Sequence, residues 1–140
     1  MFINPTAEAT RALHCDLPQW FAAHKRDLPM RAADVSDWGT LVFEIMSQQT
    51  PIARVQPIWL EWMERWPAPA DLAAASSADI IVAWANLGYP SRALRLKACA
   101  ATIVEKHDGK VPLTMKELTL LPGVGTYTAS ALLAFRHGIR

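Results

Sequence analysis

Apolar residues recur along this chain at three- and four-residue spacing, in stretches that proline or glycine interrupts before any of them grows long. That pattern favours a set of short packed helices over a sheet. A first helix is expected over about 7–24, where Leu13, Leu17, Trp20 and Phe21 share a stripe that Pro18 can kink, and Asp27-Leu28-Pro29 ends it. Ser36 or Asp37 can cap a very apolar helix over about 38–49, stopped by Thr50-Pro51. Val55, Ile58, Trp59, Trp62 and Met63 form the stripe of a helix over 52–66 that Pro67-Ala68-Pro69 terminates. A short helix over 70–75 follows, then one opened by Ser76-Ser77-Ala78-Asp79 that runs through Ile80, Ile81 and Trp84 to Gly88. Pro90 starts a helix reaching about His107, with Leu94, Ala98, Ala101 and Ile103 inside and Asp108-Gly109 at its end. Thr114-Met115-Lys116-Glu117 has the form of a capping box for a helix ending near Leu121, and a last helix spans about 126–136. The expected class is all-α, with Trp59, Trp62 and Trp66 as packing residues.

With 140 residues, 51% of them hydrophobic, the chain can bury a core, and disorder is excluded. Its formal charge of +1 provides no overall attraction for a polyanion, so any nucleic-acid surface has to be local. Cys15 and Cys99 stand far apart without neighbouring ligand residues, which argues against a zinc site or a disulfide; two reduced core thiols and no metal are expected. There is no cationic leader followed by an apolar run, and no apolar run long enough to cross a bilayer. A cytoplasmic protein without membrane contact is the expectation.

Chemistry concentrates in three places. In Leu121-Pro122-Gly123-Val124-Gly125-Thr126-Tyr127-Thr128-Ala129, two glycines sit between helices. Glycine permits positive φ and close approach, so successive amides can converge at the following helix N-terminus, where they suit a phosphate; an ordinary tight turn between helices fits the same residues. In Leu41-Val42-Phe43-Glu44-Ile45-Met46-Ser47-Gln48-Gln49-Thr50, one carboxylate stands among apolar neighbours, with Gln48 four residues on along the same face. Turned into a pocket, Glu44 would be desolvated and hold a proton near neutrality, as a general acid must; turned outward, it is a solvated helix residue. Finally, Tyr89 follows a helix end in Trp84-Ala85-Asn86-Leu87-Gly88-Tyr89-Pro90-Ser91-Arg92-Ala93, as a stacking wedge or as a half-buried packing residue. Arg92, Arg95 and Lys97 just beyond it can touch phosphates or solvate a helix face.

Leu-Pro-Gly-Val-Gly followed by an aromatic residue, Thr and Ala resembles the hairpin of the helix-hairpin-helix DNA glycosylase superfamily, and the expected fold is accordingly the six-helix-barrel portion of the endonuclease III-like architecture. The resemblance implies that Gly123, Val124, Gly125 and Thr128 grip a DNA backbone through main-chain amides. Lyases of that superfamily carry a nucleophilic lysine where this chain has Tyr127, whose hydroxyl cannot form a Schiff base. Tyr127 therefore points to monofunctional glycosylases, and at that position the chain resembles the adenine-excising branch. Glu-Ile-Met-x-Gln-Gln-Thr over 44–50 is similar to the catalytic segment of that branch. It implies that Glu44 protonates adenine, at N7, and that Gln48 and Gln49 enter the opened stack. Extrusion costs least at a mismatch. The segment around Tyr89 resembles the branch's Gly-Leu-Gly-Tyr-Tyr-x-Arg-Ala, implying a wedge beside the damaged guanine, although Pro90 replaces the second tyrosine and Asn86 a glycine. Arg26-Asp27-Leu28-Pro29-Met30-Arg31 is similar to its opening segment, with Met30 in place of tryptophan and Arg31 as a candidate contact.

The implied function is adenine excision from pairs with 8-oxoguanine or guanine in double-stranded DNA, in a bacterial, nucleoid-associated setting. An N-terminal helix over 1–25 would precede a barrel domain over 26–140, with the helix-hairpin-helix at about 114–136. The family's catalytic aspartate, its 4Fe-4S ligands and its 8-oxoguanine-reading domain would all lie beyond Arg140. The resemblance thus implies no cofactor within these residues, little or no excision by this length of chain, and a face through which it could dimerise. A catalytically silent DNA-binding helical module is the alternative, and a helical protein-interaction domain a remoter one.

Overall fold

A computed structural model of the protein describes residues 35–137. The helix expected over 7–24, Cys15, Met30 and Arg31 lie outside them. Seven helices follow one another: α1 (Asp37–Met46), α2 (Ile52–Arg65), α3 (Pro69–Ala74), α4 (Ser77–Trp84), α5 (Ser91–Lys106), α6 (Met115–Thr119) and α7 (Thr126–His137). No strand occurs among the described residues, as the spacing predicts.

Helix α1 is the centre of the packing. Ser36, extended at φ −70°, caps it by accepting a hydrogen bond from the Gly39 amide at 3.0 Å, and Asp37 adds a favourable charge in the first turn. Every residue of α1 except Asp37 and Glu44 is buried. A helix buried nearly all round must be enclosed by others, and α2, α5 and α7 all pack against it. Around it, α3 and α4 lie on α5, and α6 lies on α7.

Five buried tryptophans tie these layers together, and four of them donate a hydrogen bond. Each indole combines a large apolar body with one N–H that needs an acceptor once buried. Trp59 donates to the Gly39 carbonyl at 2.8 Å, Trp62 to Ala83 at 3.0 Å, Trp84 to Gly88 at 2.9 Å and Trp38 to Trp66 at 3.3 Å. Trp62 also meets Trp66 and Trp84 edge-on, with ring centroids 4.9 and 5.7 Å apart. The tryptophan stripe of α2 is thus core, as its spacing predicts.

Two helices end earlier than expected, before Gln49 and before Gly88. Helix α1 stops at Met46 because the Ser47 hydroxyl donates back to the carbonyls of Phe43 and Glu44, and Gln49 turns to φ 61°. Helix α4 stops at Trp84, and Ala85 follows at φ 55°. By contrast α5 closes as expected. Asp108 and Gly109 take positive φ, and the Gly109 amide reaches back to the Ile103 carbonyl at 3.1 Å. Thr114 caps α6 by accepting from the Glu117 amide at 3.2 Å, but only half of the expected capping box forms, because the Glu117 carboxylate accepts from the Thr114 hydroxyl at 3.0 Å instead of from its amide.

Replacing Trp62 by Ala removes a fully buried ring and leaves the Ala83 carbonyl without its donor. A loss of about 3–5 kcal/mol is expected, read as a lowered urea midpoint.

Candidate nucleic-acid interface

The bend between α6 and α7 depends on two glycines for different reasons. Gly123 stands at φ +79°, and a Cβ there would come within 3.3 Å of the Arg95 Cβ. Left-handed backbone and close packing both require glycine. Gly125 has ordinary φ, and a Cβ on it would meet nothing within 4 Å. Folding does not demand glycine at 125; an approaching ligand would. The amides of Gly123 and Gly125 have no acceptor among the described residues, and α7 begins immediately afterwards with no acidic residue in its first turn. Open amides at the positive end of a helix make an anion site.

Two of the residues expected to grip DNA here through main-chain amides have buried side chains. Val124 is buried, and its amide donates to the Leu121 carbonyl at 3.1 Å. Thr128 is 2% exposed, and its hydroxyl accepts from Gln48 Nε2 at 2.8 Å. An apolar valine belongs in the core, and a buried hydroxyl needs a partner within the protein. The same bond occupies Gln48, which is half-buried, so of the glutamine pair only Gln49 is exposed. It also joins the end of the Glu44 helix to the helix that follows the glycine bend. Glu44 is half-buried, one turn before Gln48, between buried Phe43 and Ile45.

Arg92 is a further correction. It is expected to contact phosphate, yet it is only 9% exposed and its two terminal nitrogens serve six protein oxygens. Nη1 donates to the carbonyls of Ile45, Met46 and Gln48. Nη2 donates to the Thr50 hydroxyl at 3.1 Å and to the carbonyls of Leu87 and Gly88 at 3.2 and 3.1 Å. Thr50 in turn donates to Leu87 at 3.0 Å. The cation satisfies carbonyls that the end of α1 leaves open, where the helix dipole favours positive charge. Burial pushes the pKa of Arg92 below its ordinary value, opposed by the nearby Tyr89, and the guanidinium stays charged. Trp84 and Tyr89 flank it, with ring centroids 5.1 and 5.9 Å from Cζ. Arg92 stands at the arginine of the Gly-Leu-Gly-Tyr-Tyr-x-Arg-Ala pattern, but nothing in that pattern shows that it faces inward.

Tyr89, 65% exposed, and Tyr127, 79% exposed, project from the protein as large aromatic side chains. Tyr89 at φ 49° and Gln49 at φ 61° both hold the left-handed backbone that side chains other than glycine seldom adopt. Arg95, whose stem lies against Gly123, is exposed beside the open amides.

A 4Fe-4S cluster needs four thiolates. The chain has two cysteines. Cys99 is fully buried, and burial pushes its thiol up to about 12; among the described residues no His, Cys, Asp and Glu gather into a metal site. These residues do not fit such a cluster.

Two helices joined by a glycine bend with open amides, set against a buried helix that carries one half-buried carboxylate, have the form of a helix-hairpin-helix unit. The chain belongs to the HhH-GPD superfamily of base excision DNA repair proteins, which it matches over residues 42–135. It is 48% identical over 122 residues to the adenine DNA glycosylase of Mycolicibacterium smegmatis, covering 87% of this chain and 42% of that protein. With the human adenine DNA glycosylase it shares 42% identity, over 94% of this chain and 26% of that protein. The chain thus spans less than half the length of these relatives. A thermostable thymine-DNA glycosylase shares its fold, with a TM-score of 0.77 at 24% identity over 91% of this chain and 59% of that one. The all-helical fold expected from the hairpin is the one observed.

The two hairpin glycines separate in stability. Gly123→Ala should cost about 1–2 kcal/mol through its left-handed φ alone, while Gly125→Ala should melt within a degree or two of the unsubstituted chain, about 0.5 kcal/mol or less. Thermal denaturation followed by circular dichroism checks both.

Proposed function

We propose that these residues form the mismatch-recognition and proton-donating part of an adenine DNA glycosylase, acting on adenine opposite 8-oxoguanine or guanine in double-stranded DNA. The observation that carries this reading is the bond between Gln48 and Thr128. It makes the carboxylate helix and the anion-binding bend one unit, so a backbone held at Gly123 and Gly125 is held at a set distance from Glu44. Similarity to adenine DNA glycosylases over 87% of the chain supports the choice of base.

Gly123, Gly125 and the first amides of α7 would hold a phosphate through backbone N–H groups, with Arg95 supplying charge. Gln49 and Tyr89 would enter the stack on the strand opposite the extruded adenine, where an amide and an aromatic ring can replace lost stacking and hydrogen bonds. Glu44 would then give its proton to N7 of the flipped base. The glycosidic electrons pass into a neutral leaving group, and positive charge develops on the sugar. Water completes the hydrolysis. Tyr127 stands where lyases carry lysine, so no covalent Schiff base forms and the strand is left intact. Such a protein works in the compartment that holds the DNA, for a bacterium the cytoplasm.

Adenine release from a duplex with adenine opposite 8-oxoguanine, followed by alkali cleavage, tests the reading on the full gene product. Glu44→Gln should slow it about 100-fold or more while mismatch binding is retained. Retained binding with no excision in the unsubstituted gene product would favour a silent DNA-binding module instead. Phosphate contact by Arg95 is checked separately. Arg95→Ala should weaken binding to matched and mismatched duplexes alike and reduce the slope of log K against log salt by about 1.

A further inference from the structure

The turn after α1 and the turn after α4 are far apart in sequence, yet one guanidinium holds both. Nη1 of Arg92 takes carbonyls from the first turn, including that of Gln48, and Nη2 takes carbonyls from the second, including that of Gly88. Thr50 bridges the two by accepting from Nη2 and donating to Leu87. In each turn the last clamped carbonyl precedes an exposed side chain in left-handed backbone: Gln49 after Gln48, and Tyr89 after Gly88. Such backbone is unfavourable without glycine and persists only where its surroundings impose it. Here the imposed geometry is that of a pair, because the planar fork of one arginine sets the separation of both carbonyls.

We propose that Arg92 is a positioning residue that locks Gln49 and Tyr89 at a fixed spacing, so that they enter a DNA stack together rather than separately. This rests on the DNA-binding role given to the two side chains above. Arg92 itself touches no nucleic acid. Its cation contributes by ordering two turns, and binding strength from the glycine bend is left largely intact when it is lost.

The test uses a duplex with 2-aminopurine in place of adenine opposite 8-oxoguanine, since the fluorescence of that base rises when it leaves the stack. The unsubstituted chain should bind and raise the emission several-fold. Arg92→Met, close in length but without donors, should bind within about threefold of the same affinity and lose most of the rise. Thr50→Val, which keeps the shape and removes the bridging hydroxyl, should lose about half of it and guards against a misfolded Arg92 variant. Leu72→Ala, destabilised in the core where α3 meets α5, should keep the full rise when folded at the assay temperature. An undiminished rise in folded Arg92→Met and Thr50→Val overturns the proposal while leaving the DNA-binding reading in place, and so does an equal loss in Leu72→Ala. Absence of binding by the unsubstituted chain overturns both.

Discussion

The end of a helix leaves carbonyls without partners, and for α1 those carbonyls lie inside the protein. Most of this structure follows from how they are satisfied. Serine 47 takes two of the preceding ones by bending its hydroxyl back, and Arg92 takes those of Ile45 and Met46. A buried hydrophobic helix can then stop in the interior without stranding its last carbonyls, at the point where the chain must emerge to form an exposed turn. An arginine suits this position better than a lysine because its flat fork reaches two separate turns at once. No carboxylate is needed opposite it: the oxygens around it carry the partial charges of a helix terminus and of a second turn.

Around that junction the tryptophans do a related job at lower electrostatic cost. Each buries a wide apolar surface and spends its one polar hydrogen on a backbone carbonyl near the end or turn of another element. The result is a set of fixed points: α1 to α2 through Trp59, α2 to α4 through Trp62, and α4 to its own following turn through Trp84. The interface residues inherit their rigidity from these anchors. The turn that presents Tyr89 is held between the indole of Trp84 and the guanidinium of Arg92, and the turn that presents Gln49 between Arg92 and Thr50.

Much of this was legible in the amino-acid order. Helix count over the described residues, the caps at Ser36, Ser76 and Thr114, and the glycine bend all have local causes, and local causes leave local patterns. What the pattern could not reveal was which polar groups face inward. Arg92, Gln48 and Thr128 occupy positions where a surface role suits their residue types, and each is drawn inside by a partner between 44 and 80 positions away along the chain. Helices α1 and α4 end at Met46 and Trp84, short of the expected Gln49 and Gly88, where the Ser47 hydroxyl turns back onto its own helix and where Ala85 takes a positive φ. The carboxylate of Glu44 sits between these cases: its apolar setting was readable, and its attachment to the bend through Gln48 was not.

The contrast between Gly123 and Gly125 has an evolutionary consequence. A residue whose replacement would break the backbone is held by the requirement to fold, and it would persist in any descendant that kept this architecture, whatever that descendant did. A residue whose replacement the fold would hardly notice is held only by something outside the chain. In a lineage that stopped meeting a polyanion, position 125 would drift while position 123 stayed, and the pair would then show by its own composition that the old contact had been abandoned.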